Sequence, residues 1–231
     1  ANRDYIRKEG KYLDDPKHET NLAHTFEESG ELPPERTKRE QVSAEVLALV
    51  EDGATDAEIL RRYPGMMNRM QYVEAARQTL LEERYRDQWR DLDVTYLWGE
   101  TESGKTRYVM EKYGYSEVYR VTNYTHPFDS YKGQRVILFD EFRSSLQIAD
   151  MLKYLDGYPV MLPCRYADKV ACFTTVYLVS NIPLDRQYPN VQVDEPATYA
   201  AFCRRIRHVW QLDRCGAAET PFGKEGAAHA E

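Results

Sequence analysis

The sequence predicts an α/β fold, a mostly parallel central sheet buried on both faces and preceded by a small all-helical unit. Three observations carry this. Short runs rich in β-branched and aromatic residues, VTYLW (94–98), EVYRV (117–121), RVILFD (135–140) and TTVYLVSN (174–181), alternate with helical stretches. The runs are mostly apolar from end to end, as strands covered on both faces must be. Residues 42–90, by contrast, hold helical periodicity only.

Taken in order, residues 1–14 (with NRDYIRKEGKYL) read as a short helix punctuated by Gly10, and 15–41 as a polar linker broken by Pro16, Gly30, Pro33 and Pro34. Helical spacing starts at Ser43, with Val46, Leu47 and Val50 on one face. Thr55 and Glu58 form a capping box ahead of Ile59 and Leu60. Pro64-Gly65 breaks the chain before a longer helix over 68–90. The α/β region spans 91–213, with helices from 104 and around 145–156. The Gly-, Ala- and Glu-rich tail, 214–231, is expected to be disordered.

Composition narrows the function classes. The chain has 231 residues, 42% hydrophobic and 12% aromatic, which predicts a packed core. No apolar run approaches membrane-spanning length and the first residues are polar, so neither a membrane partner nor a signal peptide is expected. A net charge of −7 argues against coating nucleic acid by bulk charge but leaves room for local basic patches. Cys164, Cys172, Cys203 and Cys215 lack CxxC spacing and read as free thiols.

The sharpest motif is GETESGKT, Gly99 to Thr106, between a strand and a helix. Its spacing suits phosphate binding. Gly99 leaves the strand in a tight turn, and Gly104 lets backbone N–H groups approach phosphate oxygens. Lys105 reaches the terminal phosphates and the Thr106 hydroxyl holds Mg²⁺. Thr101 and Ser103 complete the nucleotide-binding set, with ATP as the expected cofactor and Glu100 and Glu102 pointing outward. VILFDEF then delivers two carboxylates at a strand end: Asp140 to hold the metal through water, Glu141 to act as general base. Asn181, leaving TTVYLVSN, can orient the attacking water, although a turn-forming Asn before Pro183 is the plainer reading. FCRRIRHVW (202–210) crowds Arg204, Arg205 and Arg207 together; they form a solvated basic helix face, or one of them completes a neighbouring subunit's site.

In this order and spacing, GETESGKT, VILFDEF, TTVYLVSN and the RRI run resemble the superfamily 3 helicase domain of replication initiator (Rep) proteins of small circular single-stranded DNA viruses and related plasmids. The resemblance covers roughly 90–213. It implies an AAA+ P-loop ATPase that assembles as a homo-oligomer, a hexameric ring, and unwinds DNA. Asp140-Glu141 would be its Walker B pair, Asn181 its sensor, and Arg204 or Arg205 its arginine finger. It also implies that LPCRYADKVACF (162–173) is a hairpin touching single-stranded DNA through Arg165, Tyr166 and Lys169. NRDYIRKEG resembles the last motif of the Rep endonuclease, with Tyr5 as nucleophile beside Lys8. That nuclease needs an upstream histidine pair, and His18 and His24 are too far apart and on the wrong side, so nicking by this segment alone is not expected. The chain, starting at Ala1 without a methionine, reads as a C-terminal piece of a longer initiator that acts on replication origin DNA, in a bacterial cytoplasm or a host nucleus. Residues 42–90 would be the oligomerisation domain, although EVLALVEDGATDAEILRRYPG also has the look of a helix-turn-helix. Two other classes stay open: a P-loop small-molecule kinase, and a nucleotide-switched assembly module without turnover.

Overall fold

The computed structural model describes residues 37–213 and 216–219. The expectations for Tyr5, Lys8, His18 and His24, and for the endonuclease motif as a whole, lie outside the described residues. Compact packing divides the chain into a unit ending at Glu45 and a unit starting at Val46.

The first helix, α1 (Lys38–Glu51), starts earlier than the Ser43 expected from periodicity. The cause is a capping box in the presumed linker: Thr37 N–H donates to Glu40 Oε2 at 2.7 Å, and Glu40 N–H donates to Thr37 Oγ1 at 3.3 Å. The expected box at Thr55 and Glu58 does start α2 (Asp56–Arg62), and Ile59 behind it is fully buried. Pro64 opens a 3-10 turn over Pro64–Arg69, which leads into α3 (Met70–Tyr85).

Among the described residues eight strands follow: β1 (Asp93–Trp98), β2 (Val118–Val121), β3 (Val136–Phe139), β4 (Met161–Leu162), β5 (Lys169–Val170), β6 (Thr175–Ser180), β7 (His208–Asp213) and β8 (Gly216–Glu219). The main sheet runs β2-β3-β6-β1-β7-β8. Its first five strands are parallel, so the α/β expectation with a mostly parallel sheet holds. The strand that follows the phosphate loop's own strand in sequence does not pair with it. β6 is inserted between β1 and β3 instead. The helices are α4 (Lys105–Tyr113), α5 (Ile148–Tyr154), α6 (Pro189–Asp194) and α7 (Pro196–Arg205). One core cluster gathers Tyr96, Ile137, Phe139, Phe142 and Phe202, and a second holds Leu97, Val109, Leu138 and Tyr177. Alternate residues of β1 and β3 thus enter different clusters, as burial on both faces requires.

Two expectations are corrected at the C-terminal end. The basic run 202–210 is not one helix: α7 stops at Arg205 and β7 begins at His208, pairing parallel with β1. The tail is not wholly irregular either, because β8 pairs antiparallel with β7 from Gly216 to Glu219. The edge of β7 away from β1 offers backbone groups that this strand pairs with.

Arg90, absent from the sequence expectations, sits 2% exposed beneath the start of the sheet. Its guanidinium donates to the carbonyls of Asp156 at 2.9 Å, Tyr158 at 3.1 Å and Phe173 at 3.3 Å, and it stacks 4.9 Å from the Phe173 ring centroid. It ties the chain entering β1 to the chain entering β6. Arg90→Met removes the donors and strands the carbonyls, so we expect a loss of about 3 kcal/mol in unfolding free energy, measured by urea denaturation.

Candidate nucleotide site

The parallel order brings the ends of β1, β3 and β6 side by side, and the exits of such strands are where α/β sheets bind ligands. β1 runs into Gly99, where an added Cβ would lie 2.1 Å from the backbone carbonyl oxygen of Leu212 on β7. Gly99 is therefore required by this close approach as well as by the turn. Glu102 and Gly104 take left-handed backbone angles (φ 66° and 84°), folding the loop onto the N-terminus of α4. Left-handed residues alternating with ordinary ones gather backbone N–H groups into concave anion-binding loops, and the start of a helix adds a favourable dipole. Glu100, Thr101 and Glu102 are exposed, in keeping with carboxylates that point away, while Ser103 is half-buried.

Lys105 is curled over its own loop. Its ammonium donates to the carbonyls of Glu100 (2.6 Å) and Gly99 (3.0 Å) and to Ser103 Oγ (3.2 Å). Burial pulls its pKa down, and the carboxylates of Asp140 and Glu141 act against that pull.

Asp140 is the centre of the arrangement and is 5% exposed. Its Oδ1 accepts from the Thr106 hydroxyl at 2.8 Å and from the Glu141 N–H at 3.1 Å. Its Oδ2 accepts from Arg120 of β2, at 2.7 Å from Nε and 2.5 Å from Nη2. Its carbonyl accepts from Tyr124 at 2.7 Å. Phosphate loop and acidic strand are thereby joined by a direct bond. Glu141 is exposed, with a left-handed φ of 51°, which turns the chain sharply after β3. Asn181 lies past the end of β6 and accepts from Arg143 Nε at 2.8 Å.

Behind these residues lies a bracing network. Gln187, fully buried, donates to Tyr96 Oη (2.7 Å), the Phe142 carbonyl (3.0 Å) and Ser180 Oγ (3.2 Å). It accepts from the Ser144 N–H (2.7 Å) and hydroxyl (2.9 Å). It thus links β1, the turn after Glu141, and the residue before Asn181. Burial pushes the Tyr96 phenol up to about 12, so it stays a neutral member of this network. Arg120, Tyr124, Arg143 and Gln187 were missed by sequence reasoning. Only Arg120 left a signal, a cation inside the otherwise apolar run VYRV.

The remaining sequence candidates lie apart from this cluster. Arg205 is bonded within the chain, to Asp156 at 2.6 Å and to the Ala201 carbonyl at 3.0 Å. Arg207 pairs with Asp91. Arg204 is exposed and has no bonded partner among the described residues. The expected hairpin exists as β4 and β5, with Tyr166 at its tip 95% exposed. Its cations are engaged, however. Arg165 pairs with Asp129 at 2.5 Å, and Lys169 donates to the carbonyls of Tyr131 (2.7 Å) and Asp129 (2.8 Å) rather than projecting outward. Among the described residues no cluster of His, Cys, Asp and Glu has the makings of a separate metal centre, and no helix is long and apolar enough to cross a membrane.

Fold and site together have the architecture of a P-loop domain. A family model described as RNA helicase matches residues 95–181, from within β1 to Asn181. The replication-associated protein of goose circovirus is 28% identical over 223 residues, covering 95% of this chain and 67% of the relative. Those of beak and feather disease virus and pigeon circovirus are 27% and 26% identical, covering 71% and 78% of this chain. The alignments span 53% and 55% of those two relatives, so this chain corresponds to little more than half of each. The resemblance to the superfamily 3 helicase region of Rep proteins is borne out.

The two loop glycines should respond differently to substitution. Gly99→Ala drives a methyl into a backbone carbonyl that cannot yield, so we expect about 3 kcal/mol or more of destabilisation. Gly104→Ala meets open space and costs about 1 kcal/mol for its backbone angle. Thermal unfolding of both variants, followed by circular dichroism, provides the comparison.

Proposed function

We propose that this chain is the ATP-hydrolysing motor portion of a rolling-circle replication initiator, working as a homo-oligomeric ring on single-stranded DNA at a replication origin. The observation that carries the reading is the 2.8 Å bond between Thr106 of the phosphate loop and Asp140 at the end of β3. It fixes hydroxyl and carboxylate on one small centre at the C-terminal edge of the sheet, where a nucleotide's phosphates would meet both.

The loop backbone and the start of α4 bind the phosphates, and Lys105 exchanges its carbonyl partners for phosphate oxygens. The all-oxygen pair of Thr106 and nearly buried Asp140 fits a hard divalent cation, and Mg²⁺ is the one that nucleotide phosphates bring with them. When bound, Mg²⁺ supplies charge neutralisation between the phosphates. Glu141, beside Asp140, takes the proton of the attacking water, and Asn181 orients that water. Gln187 and Tyr96 hold the turn carrying Glu141 at a constant distance from Asn181. Arg205 is tied to Asp156, so Arg204 is the arginine free to enter a neighbouring subunit's site. The circoviral relatives favour a viral origin and work inside the host cell, in its nucleus.

Lys105→Ala should fold normally and lose ATP hydrolysis by about two to three orders of magnitude. Glu141→Gln should retain bound ATP, because binding survives when the base is lost. Rapid turnover by Glu141→Gln, measured by phosphate release, would overturn that role.

The arginine assignment has its own test. Arg204→Ala should reduce turnover by about 10³-fold or more and regain activity when mixed with Lys105→Ala subunits, since each supplies what the other lacks at one interface. Arg205→Ala should mainly lower the melting temperature. Rescue of Arg205→Ala and not of Arg204→Ala would reverse the assignment.

A further inference from the structure

The strongest unexplained surface lies at the other end of the sheet. The starts of β1, β3 and β6 are preceded by Asp91, Arg135 and Thr174, and these residues line a cleft of about 360 Å³ together with Arg84, Gln88 and Trp89. The nucleotide centre follows the same strands, so the two sites are separated by the strand length, about 20 Å for six residues.

Trp89 dominates the cleft. It is 63% exposed, which is unusual for the largest side chain. It is also held in place. A Cβ on Gly157 would fall 2.4 Å from two atoms of the indole, so the ring lies directly on that glycine. Tyr158, itself 67% exposed, meets it edge-on with centroids 5.0 Å apart. The backbone is fixed as well, since Arg90 N–H donates to the Gly157 carbonyl at 2.8 Å. An aromatic ring kept exposed and immobile binds without much loss of conformational freedom.

The cations beside it have no acidic partner. Arg84 and Arg135 are exposed and have no ion pair among the described residues, the Arg84 guanidinium lying 5.7 Å from the centroid of the Tyr85 ring. The one acid in the cleft, Asp91, is paired with Arg207. This contrasts with the hairpin, where Arg165 faces Asp129 and Lys169 is turned onto carbonyls. In a chain of net charge −7, two unpaired arginines around an exposed indole are a local exception. Exposed cations with an interleaved aromatic face are the chemistry of single-stranded nucleic acid: phosphates meet the guanidinium groups, and an unpaired base stacks on the ring.

We propose that the Trp89 cleft, with Arg84 and Arg135, is a binding site for single-stranded nucleic acid. This rests on the motor reading for its purpose but uses none of the residues of the nucleotide centre. The chain leaving β5 of the hairpin passes through Phe173 to Thr174 in the cleft wall, so hairpin and cleft are joined by a few residues of backbone.

The test uses the whole chain with fluorescein-labelled oligothymidylate, oligouridylate and a duplex of equal length, by anisotropy across a salt series. Trp89→Ala should weaken binding of the single strands by about 5- to 100-fold, and Trp89→Phe should stay close to wild type. Arg84→Ala and Arg135→Ala should each weaken binding and lower the slope of log affinity against log salt by about 0.7. Intrinsic fluorescence should be quenched by oligothymidylate in the wild type and not in Trp89→Phe. Duplex binding should be insensitive to Trp89→Ala, because its bases are already stacked. Equal weakening on the duplex, or wild-type affinity in all three alanine variants, overturns the site. ATP turnover, measured in parallel, separates the two readings: normal turnover with unchanged oligonucleotide binding removes the cleft and leaves the motor, whereas absent wild-type turnover removes the motor and leaves the cleft to its binding data. A preference between thymidylate and uridylate supports the cleft and identifies which strand it serves.

Discussion

A single carboxylate organises the nucleotide end of this protein. Asp140 is almost completely buried, and a buried charge is costly unless every lone pair is occupied. Thr106, the Glu141 amide and the Arg120 guanidinium occupy them. Three elements that are far apart in sequence are thereby compelled to meet: the first turn of α4, the strand β2, and the turn after β3. The geometry of the phosphate loop is set from outside the loop, by the need to keep Asp140 solvated by protein.

The same logic explains Arg120. Without it, Asp140 Oδ2 would be left with no donor. With it, the carboxylate is held in one orientation. Gln187 does for the neighbouring turn what Arg120 does for the carboxylate. A left-handed φ at both Glu141 and Ser144 is sustained because Ser144 is held by two bonds to Gln187.

Much of this was legible in the sequence because it is encoded locally. GETESGKT, VILFDEF and TTVYLVSN each announce a strand and its exit residue, and the strand alternation fixes a parallel sheet. What was illegible depends on long-range pairing. His208–Trp210 looked like the end of a basic helix face spanning 202–210, since nothing within the run reveals that β1 has a free side for it. The start of α1 was hidden in a segment dominated by prolines and charges, although Thr37 and Glu40 carried the signal. Lys169 has the type and place of a DNA-contacting cation, and only the fold shows its ammonium turned onto two carbonyls. Trp89 showed no pattern at all, because its exposure is a matter of Gly157, distant in the chain.

The sheet order also has a bearing on assembly in time. β1 and β3 are made early during synthesis, but they do not touch each other. Their common neighbour, β6, begins only at Thr175. Until it emerges, two apolar strands have open edges facing a gap, and the phosphate loop and Asp140 have no rigid frame between them. Such non-local closure slows folding and leaves sticky intermediates for the cell to shelter. A nascent chain of this protein is therefore most vulnerable when its most recognisable motifs have already been translated.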